Sequence, residues 1–340
     1  MSNHKATAQH FREKCDETVS VLPAYCISYI RSIRQRTAPR TQYEYVKDIR
    51  MFLQWIEKSI GHMPDLNDLA QLTRQDFEDY MEHLEYYRDE RGRVHTNGRS
   101  SLARKLSSLS RFFNYLFQND MLPRDETRKI QAPKVPKKNI IRLEKDETAD
   151  LLHAVSGNAP MTPKQADYHA KQQLRDTAII QLMLATGIRV SECAGIDLND
   201  IDLNHHCIRI IRKGGDEATV YMSDDAQEAL EAWLDHRASL PCPDTETAVF
   251  LSSRNTRMSV RAIEYMVRKY ASWAVPAKHI TPHKFRGTYA TELYRATGDI
   301  YLVAETLGHK DITTTREHYA SMTDDRKQAH RNTVDYKKEE

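Results

Sequence analysis

Residues 131–140, Gln-Ala-Pro-Lys-Val-Pro-Lys-Lys-Asn-Ile, set the first limit on how this chain can fold. Pro133 and Pro136 each fix φ and lack a backbone N–H, so neither a helix nor a central strand can run through them. The three lysines between and beyond the prolines keep the stretch in solvent, which makes it a linker between separately folded parts. At 340 residues the chain is long enough for each part to bury its own core. The expected organisation is a helical domain over 18–130, a linker over 131–140, a second domain over 141–323 and a polar tail over 324–340.

Upstream of the linker the apolar residues recur at steps of three and four. Tyr43, Val46, Ile49, Phe52, Leu53 and Ile56 form one such stripe, and Leu102, Leu106, Leu109, Phe113 and Leu116 form another. Thr73 with Asp76 three residues on reads as a capping box, opening a helix that carries Phe77, Tyr80, Met81 and Leu84. The first domain is therefore expected to be an all-helical bundle of about four or five helices.

The second half is mixed. Leu174, Ala178, Ile179, Leu182 and Met183 define a buried helix face that stops at Gly187. Cys207–Arg212 and Ala218–Met222 are β-prone runs around Lys213-Gly214-Gly215-Asp216-Glu217, which reads as a hairpin. Helices resume from Ala226, and residues 156–173, with Pro160 and Pro163, read as a surface loop. The fold class expected is mainly α with a small β-sheet, a helical domain followed by a mixed α/β domain.

Composition excludes several classes of function. With 40% hydrophobic and 29% charged residues and no apolar run of the ~20 residues a span requires, the chain reads as soluble and not membrane-bound. Met1-Ser-Asn-His-Lys5 has no apolar stretch behind it, so a cytoplasmic protein without a secretory signal is expected. Cys15, Cys26, Cys193, Cys207 and Cys242 are scattered without metal or redox spacing and read as free thiols. A net charge of +2 says little about partners, but its distribution says more. Residues 1–140 hold 24 Lys and Arg against 18 Asp and Glu. Arg104, Lys105 and Arg111 begin a basic run, continued through Arg124, Arg128, Lys129 and Lys134, that is long enough to meet several phosphates. A solvated helix face explains the same run.

Four stretches of the second half place phosphate-compatible side chains beside helix boundaries. In Gly187-Ile188-Arg189-Val190-Ser191-Glu192, Arg189 stands where a helix begins and its fork can grip a phosphate bidentately, with Glu192 one turn on to orient it. An isolated Arg-x-x-Glu is more often a surface ion pair. Lys213 sits at the hairpin tip, where an ammonium can offer a proton to a leaving oxygen, although most turn lysines are merely solvated. In Thr281-Pro282-His283-Lys284-Phe285-Arg286, a capped helix start projects His283 and Arg286 from one face, and a helix N-terminus favours anions. The opposite face, Tyr289, Ala290, Leu293 and Tyr294, is expected to enter the core. In Leu307-Gly308-His309, His309 follows a glycine stop, and Tyr319 falls ten residues later. Alone, Tyr319 reads as a half-buried helix aromatic. Beside a phosphate held by arginines and histidines, its phenolate would be stabilised against a reference pKa near ~10.

Taken together and in this order, the stretches resemble the catalytic signature of the tyrosine recombinases, the phage-integrase and Xer-like group. The matching features are Gly-x-Arg-x-x-Glu, a hairpin lysine, His-x-x-Arg, Leu-Gly-His and a following tyrosine. The helical first half, with its patterns over Thr41 to Trp55 and Ser101 to Phe117, resembles the family's core DNA-binding domain of SAM-like type.

The resemblance implies a site-specific recombinase that cleaves and rejoins DNA through a 3′-phosphotyrosine intermediate, integrating or excising a mobile element. Arg189 and Arg286 would hold the scissile phosphate, His283 and His309 would add hydrogen bonds and assist proton transfer, Lys213 would be the general acid, and Tyr319 the nucleophile. Glu192 would support Arg189. Arg104, Lys105 and Arg111 would contact DNA. No metal and no cofactor are implied. The implied partner is double-stranded DNA with inverted-repeat half-sites, bound by a homotetramer on two DNA sites, with an accessory DNA-bending or directionality protein as an optional further partner. Within the tail over 324–340, residues 324–336 would dock on a neighbour. With only about 20 residues ahead of the bundle, an arm-type DNA-binding domain is not expected. Xer-like resolution of DNA dimers, relaxation of the type IB topoisomerase kind, and non-catalytic DNA binding are the alternatives. Two-site recombination, plasmid relaxation and covalent trapping tell them apart.

Overall fold

The computed structural model describes residues 3–89, 91–136, 141–158, 162–212, 214–243 and 245–308, apart from the side chains of 3–7, 158, 164, 165 and 168. The chain divides into two compact units, Met1–Lys138 and Asn139–Glu340.

The first unit contains helices α1 (Asn3–Ser20), α2 (Ala24–Ile33), α3 (Pro39–Ile60), α4 (Leu66–Gln71), α5 (Arg74–Glu85) and α6 (Arg99–Gln118). Pro39 opens α3 where a missing N–H does no harm, and Gly61 closes it at φ 82°. The periodic residues of α3 and α6 point inward as their spacing predicts: Val46, Ile49, Phe52, Leu53 and Ile56 meet Leu102, Leu109, Phe113 and Leu116 in one core. Phe52 lies at its centre, stacked on Phe77 at 5.3 Å and edge-on to Tyr80 at 4.9 Å. The start of α5 is held as expected, Asp76 accepting from the Thr73 backbone N–H and hydroxyl, each at 2.7 Å. Helix α1 enlarges the bundle beyond the sequence reading, because Cys15 and Val19 are buried in the same core.

The expectation of an all-helical first domain is corrected. Strands β1 (Tyr86–Arg88) and β2 (Val94–Thr96) pair antiparallel, with Tyr87 opposite His95. Aromatic and β-branched residues favour the pairing, and the two rings stack at 5.0 Å. Asp89 organises the turn, accepting from the Arg91 and Arg93 backbone N–H groups at 3.0 and 2.9 Å. The hairpin escaped notice because its strands are only three residues long.

The second unit runs α7 (Lys145–His153), α8 (Pro163–Ala170), α9 (Gln173–Thr186), α10 (Val190–Gly195), β3 (Ile201–Asp202), β4 (Cys207–Ile211), β5 (Glu217–Tyr221), α11 (Asp224–Ala238), α12 (Val260–Ala274), α13 (Pro282–Thr297) and α14 (Ile300–Leu307). Helix α9 is its axis: Ala178, Ile179, Ile180, Leu182 and Met183 are fully buried, whereas Leu174, expected on the same face, lies in the first turn of the helix and is exposed. The expected hairpin is present as β4–β5, extended by β3 into a three-stranded antiparallel sheet. Its register sets Ile208 opposite Val220 on the buried face and Ile211 opposite Glu217 next to the connecting turn.

The loop expected over 156–173 is also corrected. It contains α8, whose His169 is buried at 4% exposure, bonds the Val155 carbonyl at 2.9 Å and meets Tyr270 edge-on at 5.7 Å. Proline at the first position of α8 starts the helix rather than breaking one. Among the described residues no helix is long and apolar enough to cross a membrane.

Candidate active site

Three of the four chemistry-bearing stretches converge on one side chain. Arg286 stands in the first turn of α13 and is only 6% exposed. One end of its guanidinium donates to the Gly187 carbonyl at 2.8 Å and another to the Leu307 carbonyl. A residue from the His-x-x-Arg stretch thereby ties the Gly-x-Arg stretch to the Leu-Gly-His stretch. Arginine suits this because its planar fork presents several fixed donors and stays charged. His283, one turn earlier on the same helix, is exposed. Pro282 occupies the first helical position as expected, and Thr281 holds the cap position without a side-chain capping bond.

Gly187 ends α9 in the left-handed region at φ 63°. A side chain there would also collide with Tyr289, whose Cδ1 lies 2.5 Å from the place a Cβ would take. The sharp exit sets Arg189 at the cap of α10. Its backbone N–H donates to Glu192 Oε2 at 2.8 Å and its guanidinium to Oε1 at 2.6 Å. Glu192 has a side chain only 3% exposed while Arg189 keeps 32%, so a buried carboxylate aims a partly open guanidinium. Ala290 and Tyr294 are buried as expected, against Val303 and Leu307 of α14, but at four and eight residues from Arg286 they share its side of α13 rather than the opposite one. Burial pushes the Tyr289 hydroxyl above its ordinary pKa, so it stays protonated in the wall of the site.

Asp299 starts α14, accepting from the Tyr301 and Leu302 N–H groups at 2.8 and 3.1 Å. Gly308 ends it at φ 62°. Arg212, at the end of β4, donates to the Thr306 carbonyl at 2.8 Å. The last carbonyls of α14, Thr306 and Leu307, are thus each held by an arginine, Arg212 and Arg286. Arg212 is a part of this site that the sequence pattern does not mark, because its bond to a carbonyl 94 positions away depends on the fold alone. Among the described residues no group of three or more His, Cys, Asp or Glu is placed to hold a metal ion.

Residues 142–326 match the Phage integrase family, and residues 26–122 match its N-terminal SAM-like domain. The chain belongs to the phage integrase family of tyrosine recombinases. Its enzyme class is site-specific recombinase. It is 31% identical to tyrosine recombinase XerS of Streptococcus agalactiae across 93% of this chain and 97% of that one. It is 29% identical to tyrosine recombinase XerC of Leptospira interrogans across 90% of each. The fold is shared with the Tn1549 transposon integrase in complex with circular intermediate DNA, at TM-score 0.67 and 18% identity over 91% of this chain and 99% of that one. It is also shared with the XerH recombinase bound to palindromic difH substrate, at TM-score 0.66 and 17% identity over 94% of this chain and 88% of that one.

Within this recombinase the structure brings Arg189, Glu192 and Arg286 together with the Leu307–Gly308 turn. Lys213, His309, Tyr319 and the tail over 324–340 lie outside the described residues. In the first unit two of the expected DNA contacts, Arg104 and Lys105, are paired with one buried carboxylate. Lys105 is 8% exposed and points to Asp48 at 3.3 Å, a structural ion pair. Arg104 meets the same carboxylate through two bonds of 2.7 and 3.1 Å, which leaves its guanidinium half-exposed but committed. Asp48, 4% exposed, also accepts from Ser108 at 2.7 Å. A buried carboxylate requires such partners, and Arg104, Lys105 and Ser108 supply them. Arg111 remains exposed over the Tyr45 ring at 5.9 Å.

Proposed function

We propose that this recombinase cuts one DNA strand at a time through Tyr319, with Arg189 and Arg286 neutralising the scissile phosphate. The phenolic oxygen bonds to phosphorus as the bond from phosphorus to the 5′ oxygen breaks. The leaving oxygen takes a proton from the Lys213 ammonium, and the phenolic proton passes to His283 or His309. The products are a 3′-phosphotyrosine and a free 5′ hydroxyl, and a partner strand's 5′ hydroxyl reverses the same steps. Each preorganised donor on the phosphate is worth ~3 kcal/mol in the transition state, and the general acid a further ~10²–10⁴-fold.

One observation supports this reading above the others: the guanidinium of Arg286 joins the Gly187 and Leu307 carbonyls, so stretches far apart in sequence meet at one point. The ligand proposed is duplex DNA with inverted half-sites, bound by four protomers on two sites in the cytoplasm, residues 324–336 of the tail docking on a neighbour. Incubation with a nicked suicide substrate should trap a covalent adduct that Tyr319→Phe abolishes. An adduct persisting in that variant overturns the assignment. Recombination between directly repeated sites on one plasmid, against joining of sites on two molecules, tells dimer resolution from integration. Unchanged recombination after deletion of 324–340 removes the role given to the tail.

A further inference from the structure

Arg212 is a cation that the mechanism above does not use. It stands at the root of the β4–β5 turn, which its own backbone closes on both sides. Its N–H donates to the Asp216 carbonyl at 2.8 Å, and its carbonyl accepts from Gly215 N–H at 3.0 Å. Its side chain leaves the hairpin and crosses to the end of α14, donating to the Thr306 carbonyl at 2.8 Å. There it lies over Gly308 so closely that a Cβ on Gly308 would fall 1.4 Å from the guanidinium Nη1 and 2.5 Å from Cζ. Its Nε is buried without a hydrogen-bond partner. A guanidinium with a buried, unpaired N–H is desolvated at a cost, and exposed arginines ordinarily avoid that arrangement. A cation at a helix C-terminus recovers part of the cost by meeting the negative end of the helix dipole.

The consequence is mechanical. The residue after Arg212 is Lys213, and the residue after Gly308 is His309. The pair Arg212 and Gly308 joins the backbone that leads into each. Arg286 grips the neighbouring carbonyl, Leu307, so the hairpin root is referred to the same helix end as the phosphate-binding arginine.

We propose that Arg212 is a positioning residue: by clamping the β4–β5 hairpin to the end of α14 it sets Lys213 at the distance from which it protonates the leaving 5′ oxygen. Arg212 itself touches neither the phosphate nor the leaving group. The proposal rests on Lys213 being the general acid, and the test separates failure of one from failure of the other.

The experiment compares two suicide substrates, one with the natural 5′ oxygen at the scissile bond and one with sulfur in its place. A thiolate leaves without being protonated, so a defect confined to the general acid disappears on the sulfur substrate. Lys213→Met should be slow on oxygen and restored on sulfur; if it is slow on both, Lys213 is not the acid. Arg212→Met should cleave the oxygen substrate about 10²-fold slower, the scale of a displacement of ~1 Å, and recover on sulfur to within a few-fold of the wild-type rate. With Lys213→Met restored, an Arg212→Met equally slow on both substrates, or as fast as wild type on oxygen, overturns the proposal. Thermal melting of each variant accompanies the rates. If Arg212→Met does not fold, Arg212→Lys, which keeps a donor for the Thr306 carbonyl, carries the same comparison with the same two outcomes.

Discussion

Replacing Gly308 with alanine tests the close packing at the end of α14, and its effect can be worked out in two parts. The first is backbone strain: Gly308 has φ 62°, and an L-residue held there costs ~1 kcal/mol. The second is displacement of Arg212, whose Nη1, Cζ and Cδ lie 1.4, 2.5 and 2.9 Å from the new methyl position. The side chain is long and can swing away, so the loss is its charge-assisted bond to the Thr306 carbonyl, ~1.5 kcal/mol at a half-buried site. The sum, ~2–3 kcal/mol, lowers the melting temperature of a unit this size by about 5–10 °C. Gly61→Ala is the control, because Gly61 also ends a helix in the left-handed region, at φ 82°, with nothing within 4 Å of the added atom. It should lose only the strain. A double-mutant cycle isolates the rest: in an Arg212→Ala background the extra penalty of Gly308→Ala should shrink to that of Gly61→Ala. Equal losses for Gly308→Ala and Gly61→Ala in the unaltered background would refute the packing argument.

Glu192→Gln removes the charge that aims Arg189, and cleavage of a suicide substrate should slow at least ~10-fold while DNA binding in a gel-shift assay changes little; a loss of binding with unchanged cleavage contradicts the orienting role. Asp48→Ala strands buried Lys105 and should destabilise the first unit by about 3–5 kcal/mol in denaturant titration, where a loss below ~1 kcal/mol would show the cluster to be peripheral. Burial raises the Cys15 and Cys26 thiols to about 11 and about 12, so at pH 8 a maleimide should label Cys207 and Cys242 first, as read by peptide mass spectrometry. The bonds from His95 and Arg93 hold the Asp89 carboxyl below its ordinary range. Its depressed folded value means the β1–β2 turn keeps this contribution above the unfolded pKa of ~3.9 and loses it as pH falls below that. The Tyr87–His95 ring-stacking shift in NMR should follow, and loss of the shift already near pH 6 would assign the turn's stability to another group.

Much of this architecture could be read from the residues because single physical rules acted alone there. The stripe on α3 became a buried face, and the β-prone runs about Gly214 and Gly215 became β4 and β5. Pro282 opened α13, and Gly187 and Gly308 closed their helices in the left-handed region. What escaped was whatever depended on distant neighbours. The pattern of Arg104 and Lys105 gave no hint that Asp48, more than fifty positions earlier, would pair with both. The polarity of 156–173 concealed α8, whose stability comes from burying His169 against Tyr270. Within the site, Arg189 and Glu192 were legible because they are one helical turn apart, whereas the bonds of Arg212 and Arg286 to carbonyls have no sequence signature at all.

That last property bears on how such a protein tolerates change. Arg286 and Arg212 fasten themselves to peptide oxygens, which every amino acid supplies, so a mutation at Thr306 or Leu307 alters a side chain and leaves the fastening point in place. Outside the two helix-ending glycines and the packed Leu307, neighbouring side chains such as that of Thr306 can change without retuning the spacing of the site's parts.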